Sequence, residues 1–288
     1  MDYKYSELDY AKLIYENGFQ SEKHMPTELR LVATYMRRVL DYKPKQLKEE
    51  MTQWCAQHIS GFKREIYYPF INTAINKACK KGSCLLNVTS IDFTKSELDY
   101  INGLKIVDSN NEKFIYSHEC KKLLFTLLFK MKVNKYISEF KSIDESFSYD
   151  GKYFQGGQKK YTELKKLAKI PEKIRINEDL INALWNNKLI TPMFNGLIKL
   201  DFMSNINALH VDTIEENIAL KITDYESVGW YYDLHCGDSK IQFCKNCGKI
   251  FKRKSNRQEY CSSECSTIVD RIKARERMKS IRENSCSI

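Results

Sequence analysis

The fold of the C-terminal region is decided by residues 244–265, which read CKNCGKIFKRKSNRQEYCSSEC. This stretch contains two close cysteine pairs, the first of the form Cys-x-x-Cys and the second of the form Cys-x-x-x-Cys. Paired thiolates are typical ligands of a structural, tetrahedral Zn²⁺, with Zn–S distances of about 2.3 Å. Four sulfurs would fill every position of such an ion and leave none open for catalysis. The sequence therefore predicts one structural zinc ion, with the ligands Cys244, Cys247, Cys261 and Cys265.

The residues around the two pairs predict how the ligands are held. Gly248 directly follows the first pair and can adopt φ > 0 without strain in a Cys-x-x-Cys-Gly turn. Between the pairs, Ile250, Phe251 and Tyr260 are expected to form a short hairpin whose apolar faces cover the ion. Ser262 or Ser263 can cap a helix whose first turn contains Cys265, where the partial positive charge of the helix end favours a thiolate. A turn, a hairpin and a helix start in this order indicate a treble-clef-like module.

Positive charge is concentrated in the same region. The formal net charge of the chain is +10, and residues 240–282 contain thirteen Lys/Arg against four Asp/Glu. Four thiolates and one divalent ion together would add a net charge of only about −2, so the region stays basic. A basic segment on a nearly neutral body is typical of proteins that bind a polyanion. The predicted nucleic-acid contacts are Lys249, Lys252, Arg253, Lys254 and Arg257 in the hairpin, and Arg271, Arg275, Lys279 and Arg282 on the following helix.

The helix that follows Cys265 carries its cationic residues at a regular spacing. Between positions 271 and 282 four of them recur every three or four residues, which aligns them on one helix face. Such a stripe is about 16 Å long and suits the phosphates of a nucleic-acid backbone. A solvated charged helix is the alternative, because Glu276 and Glu283 dilute the charge. Double-stranded DNA is the predicted partner, and a host protein is the alternative one.

Length and composition predict the class of the remaining chain. At 288 residues the sequence is long enough for about two domains and an appendage. Five prolines and eleven glycines provide few tight turns, which favours helices. The predicted fold is mainly α. It comprises a helical N-terminal domain at 1–140, a linker at 141–157, a winged-helix-like middle domain at 158–236, and the C-terminal four-cysteine zinc module with its basic helix at 237–288.

Hydrophobic spacing and capping residues predict the helices of the first half. The expected helices span 6–18, 26–40, 45–58, 68–81, 94–102 and 113–137. The fifth of these begins at a capping box formed by Thr94 and Glu97. Basic and aromatic residues alternate over 63–70, as in proteins that bind single strands. Helical spacing nevertheless favours Tyr67, Phe70 and Ile71 as core residues.

The middle of the chain has the element order of a winged helix. The expected elements are helices at 161–169 and 177–187, strands at 189–193 and 197–202, and a helix at 225–235. Asn195-Gly196 is a strong hairpin signal, and Pro192 confines its strand to a sheet edge. The first helix and the turn after it carry many cations. Glu178 and Asp179, in contrast, disfavour the binding of phosphates at the start of the second helix. DNA binding, protein binding and a packing role all remain open for this unit.

Three stretches resemble a group of known proteins. Residues 244–265, followed by an Arg/Lys helix, are similar to the four-cysteine, treble-clef-type tail of uncharacterised bacteriophage and mobile-element proteins. Residues 46–81 and 95–128 resemble the N-terminal half of one such group from Gram-positive bacteria. The likeness covers most of the chain, and the cysteine motif is its specific part. It implies a cytoplasmic, DNA-associated accessory or regulatory protein with no established reaction.

Several classes of function are disfavoured or secondary. The five histidines are scattered, a phosphate-binding loop is not found, and the His-Asn-His constellation of phage nucleases with similar cysteine pairs is missing. We therefore predict no catalytic residues and keep a metal-dependent nuclease as the third hypothesis. The second is an interaction factor that binds a host polymerase or a defence enzyme. Because neither a signal-peptide pattern nor an apolar run of ~18 residues occurs, we expect a cytoplasmic protein with reduced cysteines and no membrane partner.

Overall fold

The computed structural model describes residues 6–141, 153–209 and 217–285, which form a mainly helical protein. Contacts within the chain group it into two compact units. The first comprises residues 1–91 and 132–150, and the second comprises residues 92–131 and 151–288. Residues 92–131 therefore pack with the second half of the chain. The predicted linker at 141–157 lies mostly outside the described residues, and the four-part domain layout stays a prediction.

The first unit is built on four helices, close to those predicted. They are Glu7–Asn17 (α1), Met25–Arg38 (α2), Pro44–His58 (α3) and Arg64–Cys79 (α4). The Ser6 side chain caps α1, and Gly18 ends it with a φ of 82°. Helix α4 begins four residues before the predicted start, because Pro69 lies inside the helix instead of opening it. The predicted core position of Ile71 is confirmed, whereas Phe70 is 49% exposed.

The second unit combines helices with three small sheets. Its elements are Ile91–Thr94 (β1), Lys95–Gly103 (α5), the first part of Ser117–Lys141 (α6), Tyr153–Gln155 (β2), Gln158–Leu167 (α7), Asn182–Asn186 (α8), Thr191–Pro192 (β3), Leu197–Lys199 (β4), Phe202–Leu209 (α9), Ile218–Ile222 (β5), Val228–His235 (α10), Ile241–Phe243 (β6), Ile250–Lys252 (β7) and Ser263–Ser285 (α11). Strand β1 pairs with β5, and β6 pairs with β7. The capping box at α5 is confirmed by reciprocal hydrogen bonds between Thr94 and Glu97.

The predicted hairpin around Asn195-Gly196 is present, although its strands are shorter than expected. Strand β3 pairs antiparallel with β4, and Pro192 lies on an edge strand as predicted. Strand β2 adds to the other side of β4, a pairing that the sequence did not predict. Helix α8 is preceded by a π-helical turn, Ile176–Ile181, which begins one residue before the predicted cap at Asn177. The prediction that Asn177 caps this helix is wrong, because the turn begins after Arg175 without a side-chain cap and Asn177 Oδ1 has no hydrogen-bond partner among the described residues. The Asp179 carboxylate instead accepts the backbone N–H of Arg175 at 2.7 Å. The winged-helix interpretation stays a prediction.

Helices α6, α7 and α10 meet at a buried ion pair. Lys122 Nζ donates to Asp233 Oδ2 at 2.5 Å and to the backbone carbonyl of Lys169 at 3.3 Å. His118 Nε2 lies 2.9 Å from the other oxygen of Asp233. At Gly229 an added Cβ would lie 1.9 Å from the carbonyl oxygen of Ala168, so only glycine permits this approach of α10 to the end of α7. The contact fixes the helix that leads into the cysteine-rich region.

Candidate metal centre

The first cysteine pair lies in the turn of the β6–β7 hairpin. Phe243 pairs with Ile250, so the chain reverses over residues 244–249. The N–H of Cys244 donates to the carbonyl of Lys249 at 2.9 Å, and the N–H of Gly248 donates to the carbonyl of Cys244 at 3.0 Å. Gly248 has a φ of 69°, as the Cys-x-x-Cys-Gly pattern predicts. This turn brings the two thiols of the pair to the same side of the hairpin.

The second pair lies at the start of α11. Ser262 Oγ accepts the backbone N–H of Cys265 at 3.3 Å, so Ser262 is the capping residue among the two that the sequence offered. Cys265 consequently lies in the first turn of the helix, and Cys261 precedes it. The N–H of Cys261 donates to Cys244 Sγ at 3.4 Å, which links the two pairs.

The four sulfurs converge on one point. All four Sγ atoms lie within 4.8 Å of one another. Cys261 Sγ lies 3.6 Å from Cys247 Sγ and 3.6 Å from Cys265 Sγ. A tetrahedral ion with Zn–S distances of about 2.3 Å requires sulfur–sulfur separations of about 3.8 Å. The nine described cysteines form no disulfide. The cluster can therefore hold a metal ion, and the predicted convergence of these cysteines is confirmed.

Hydrogen bonds make two of the four thiols more acidic. Burial raises the pKa of Cys244, but backbone N–H groups of Cys247, Cys261 and Asn246 outweigh it and lower the pKa to about 6. A hydrogen bond with the Asn246 side chain lowers the pKa of Cys265. Burial and neighbouring cysteines raise the pKa of Cys261 to about 12. Metal ligands must be thiolates, so an ion bound here would displace the remaining protons.

Aromatic residues cover the cysteine cluster and attach it to α10. Cys244, Phe251 and Cys265 form a small buried core, and Trp230 and Tyr260 pack against it. The ring of Tyr231 meets that of Phe243 edge-on, with centroids 5.8 Å apart. The prediction that Ile250-Phe251 and Tyr260 form a hairpin is wrong, because β7 pairs with β6. Phe251 and Tyr260 nevertheless pack at the cysteine core, as predicted. The contact of Trp230 with the cysteine core was not predicted, because no local pattern links this residue to cysteines fourteen or more residues away.

The predicted cationic contacts of the hairpin fall into two groups. Four side chains are exposed, namely Lys249, Lys252, Lys254 and Arg257. Arg253 is half-buried, and its guanidinium donates to the backbone carbonyls of Ser239 and Asn256. Its backbone N–H also donates to the carbonyl of Lys240 at 2.7 Å. Arg253 thus closes the base of the hairpin, a structural role that the sequence did not suggest.

The predicted contacts on α11 lie along one exposed helix face. Arg271, Arg275 and Lys279 are exposed, whereas the side chain of Arg282 lies outside those that the structure describes. Ile268 and Ile272, on the same face nearer to the cysteines, are 46% and 45% exposed. The helix therefore presents an apolar segment followed by a cationic one.

No known protein family, curated protein or solved structure matches this chain. Within the three ranges that the structure describes, no helix has the length and apolar character required to cross a membrane.

Proposed function

We propose that this protein is a zinc protein that binds nucleic acid, with double-stranded DNA as its partner. The observation that carries the proposal is the position of the cysteine cluster. Two ligands come from the β6–β7 hairpin and two from the start of α11, so one ion would tie together the two elements around which the predicted cationic contacts lie. Four thiolates suit Zn²⁺ and leave no open coordination position, so the ion has a structural role.

Zinc would supply the stability that this small module lacks. Its buried core is limited to a few residues, and structural zinc typically contributes on the order of 10 kcal/mol or more to the folding of such modules. Cys247 is exposed and Cys261 is half-buried, so the apolar cover alone does not enclose the cluster. The fold of the hairpin and the orientation of α11 then depend on the ion.

The exposed cations are the proposed contacts to phosphates. They are Lys249, Lys252, Lys254 and Arg257 on the hairpin, and Arg271, Arg275 and Lys279 on α11, with Arg282 proposed from its helical spacing. From residue 271 to residue 279 the helix rises about 12 Å, enough to follow several phosphates. Arg253 is left out of this set, because its guanidinium already binds two backbone carbonyls.

The resemblance of residues 244–265 to mobile-element proteins suggests the process. On this basis we propose an accessory or regulatory protein of a phage or mobile element, acting in the cytoplasm on the DNA of that element. The order of α7, α8 and the β3–β4 hairpin along the chain supports a winged-helix unit in the same protein, since two helices joined by a turn and followed by a hairpin are its usual elements.

Salt dependence tests the proposal directly. Anisotropy of a fluorescent DNA duplex would be measured with the reduced, zinc-loaded protein over a range of NaCl concentrations. The eight proposed phosphate contacts predict a slope of log K against log [salt] of roughly −7, at about −0.9 per contact. A flat dependence, or no binding at low salt, would overturn the proposal.

A protein partner is the second candidate, and a specific observation favours it. Ile268, Ile272 and Met278 on α11 are each about half exposed, which is unusual for apolar residues on a cationic helix. A docking surface for a host polymerase or defence enzyme would use such residues. Capture of that enzyme by the immobilised protein after complete nuclease digestion would support this candidate over DNA binding.

A further inference from the structure

A groove of about 1030 Å³ lies beside the metal module. It is lined by α7 and the turn that follows, together with Trp230 of α10 and Lys252 of β7. Cationic residues of α7 and Lys252 of β7 therefore face the same groove. This proximity was not predictable from local patterns, because α7 and β7 are more than eighty residues apart.

The groove is cationic. Its lining includes five cations against two carboxylates, namely Lys165, Lys166, Lys169, Arg175 and Lys252 against Glu172 and Glu178. Lys165 Nζ donates to the carbonyls of Glu172 and Ile174, at 2.8 and 2.7 Å, and therefore holds the turn. Arg175 forms an ion pair with Glu178. The ammonium groups of Lys166 and Lys252 lie on exposed side chains and can meet an anion.

Trp230 provides an aromatic surface within this cationic lining. Lys169 Nζ lies over its ring, 4.8 Å from the centroid. Contacts within the protein fix the positions of Lys169 and Trp230. Lys122 Nζ donates to the Lys169 carbonyl, and Gly229, the residue before Trp230, lets α10 contact the end of α7. The aromatic ring and the ammonium groups are therefore arranged before any ligand arrives.

A polar atom in the lining lacks a partner. Asn177 lines the groove, and its Oδ1 is buried without a hydrogen bond to any described residue. Such an atom costs free energy unless a donor reaches it. A nucleic-acid strand offers the phosphate anions that the exposed cations of the groove can bind.

We propose that this groove binds one nucleic-acid strand in single-stranded form, next to the duplex contacts of the metal module. The inference extends the proposed function and rests on it for the choice of nucleic acid. Cations beside an aromatic surface are typical of sites that bind single strands without sequence preference.

The test compares single-stranded and duplex binding by the full-length, zinc-loaded protein. The probes are a fluorescent oligothymidine of about twelve nucleotides, within the span of known single-strand sites, and a mixed-sequence duplex. The double variant Lys166→Ala/Lys252→Ala should weaken single-strand binding about tenfold near physiological salt, because two phosphate contacts are lost. The variant Lys166→Arg/Lys252→Arg should restore it. The control Lys160→Ala/Lys81→Ala removes two charges outside the groove and should leave single-strand affinity within about twofold.

The outcomes separate the two proposals. If the groove variant loses about tenfold in single-strand affinity while duplex affinity falls only about threefold, as the loss of the one shared contact at Lys252 predicts, the groove is the single-strand site. If oligothymidine binds equally well to wild type and groove variant, the inference is wrong, even where duplex binding persists. If an acidic peptide of equal charge displaces the oligonucleotide at the same concentration, the groove is a site for acidic protein and the inference is also wrong. Absence of duplex binding with intact, groove-dependent single-strand binding would overturn only the proposed duplex contacts.

Discussion

At the scale of single residues, Cys247 is the most exposed cysteine of the metal cluster. Because it lies outside the small buried core, we expect it to stabilise the module only as a metal ligand. Cys247 and Cys236 are both exposed thiols, but only Cys247 has its sulfur near the other three. The pair therefore provides a matched comparison between a ligand and a free cysteine.

Cys247→Ser should lower the zinc content of the purified, reduced protein from about one ion per chain to well below one, because a tetrahedral site loses one of its four ligands. Cys236→Ser should retain about one ion per chain. Elemental analysis of both variants checks this. Zinc content in Cys247→Ser equal to that of the wild type after dialysis against a chelator would contradict the assignment of Cys247 as a ligand.

Asp233 is the residue on which the buried ion pair depends. Replacing it by Asn leaves Lys122 buried without its carboxylate, which should cost about 3 kcal/mol in the free energy of unfolding. Urea denaturation near neutral pH measures this difference. An equally stable Asp233→Asn variant would show that the pair makes no net contribution.

The same ion pair predicts how stability varies with pH. Burial raises the pKa of Asp233, but His118 and Lys122 outweigh it, so the pKa in the folded protein is lowered. A lowered pKa stabilises the fold above the unfolded value of about 3.9 and loses this effect as the pH falls through the folded value. The difference in unfolding free energy between wild type and Asp233→Asn should therefore shrink below a pH of about 4. A difference that stays constant down to pH ~2 would contradict the assignment.

At the scale of secondary-structure elements, α11 carries two cationic faces that can be tested against each other. Arg275 and Lys279 lie on the face that continues from Ile268 and Ile272, whereas Lys273 and Arg277 lie on the opposite face. Arg275→Ala/Lys279→Ala should reduce the salt slope of duplex binding by about two, since each contact contributes about 0.9.

The matched variant Lys273→Ala/Arg277→Ala removes the same charge from the same helix. It should leave the slope within about half a unit of the wild-type value. Equal losses in both variants would indicate that the net charge of α11 matters and not a defined face.

Elements whose signals are local were predictable, and those that depend on distant pairing were not. Ser6, Thr94 and Gly248 each specify a cap or a turn within a few residues, and the structure confirms all three. The pairings of β1 with β5 and of β2 with β4 join strands that lie far apart along the chain. Their short sequences carry no register signal, so side-chain packing alone selects the partner. The cysteine ligands were predictable from their spacing alone, because the geometry of a metal site dictates the spacing of its ligands.

At the scale of the whole molecule, the metal should stabilise one part of the chain and not the other. The cysteine cluster lies in the second unit, while α1 to α4 have a separate core of buried apolar residues. A strong chelator should therefore abolish amide protection in β6, β7 and the start of α11 and leave protection in α1 to α4 unchanged.

Hydrogen exchange with mass spectrometry, with and without the chelator, measures both regions in one sample. Return of protection when Zn²⁺ is added back serves as the control for irreversible damage. Equal loss of protection across the chain would mean that the two units unfold together.

The packing of Trp230 against the cysteine core has a consequence for attempts to isolate the metal module. A fragment that starts at residue 237 would leave this indole behind and expose the side of Cys244 and Phe251 that it covers. A fragment that starts before Ser227 would keep α10 and its aromatic contact. The module is therefore transplantable only together with the helix that precedes it, so a graft onto another protein must include both.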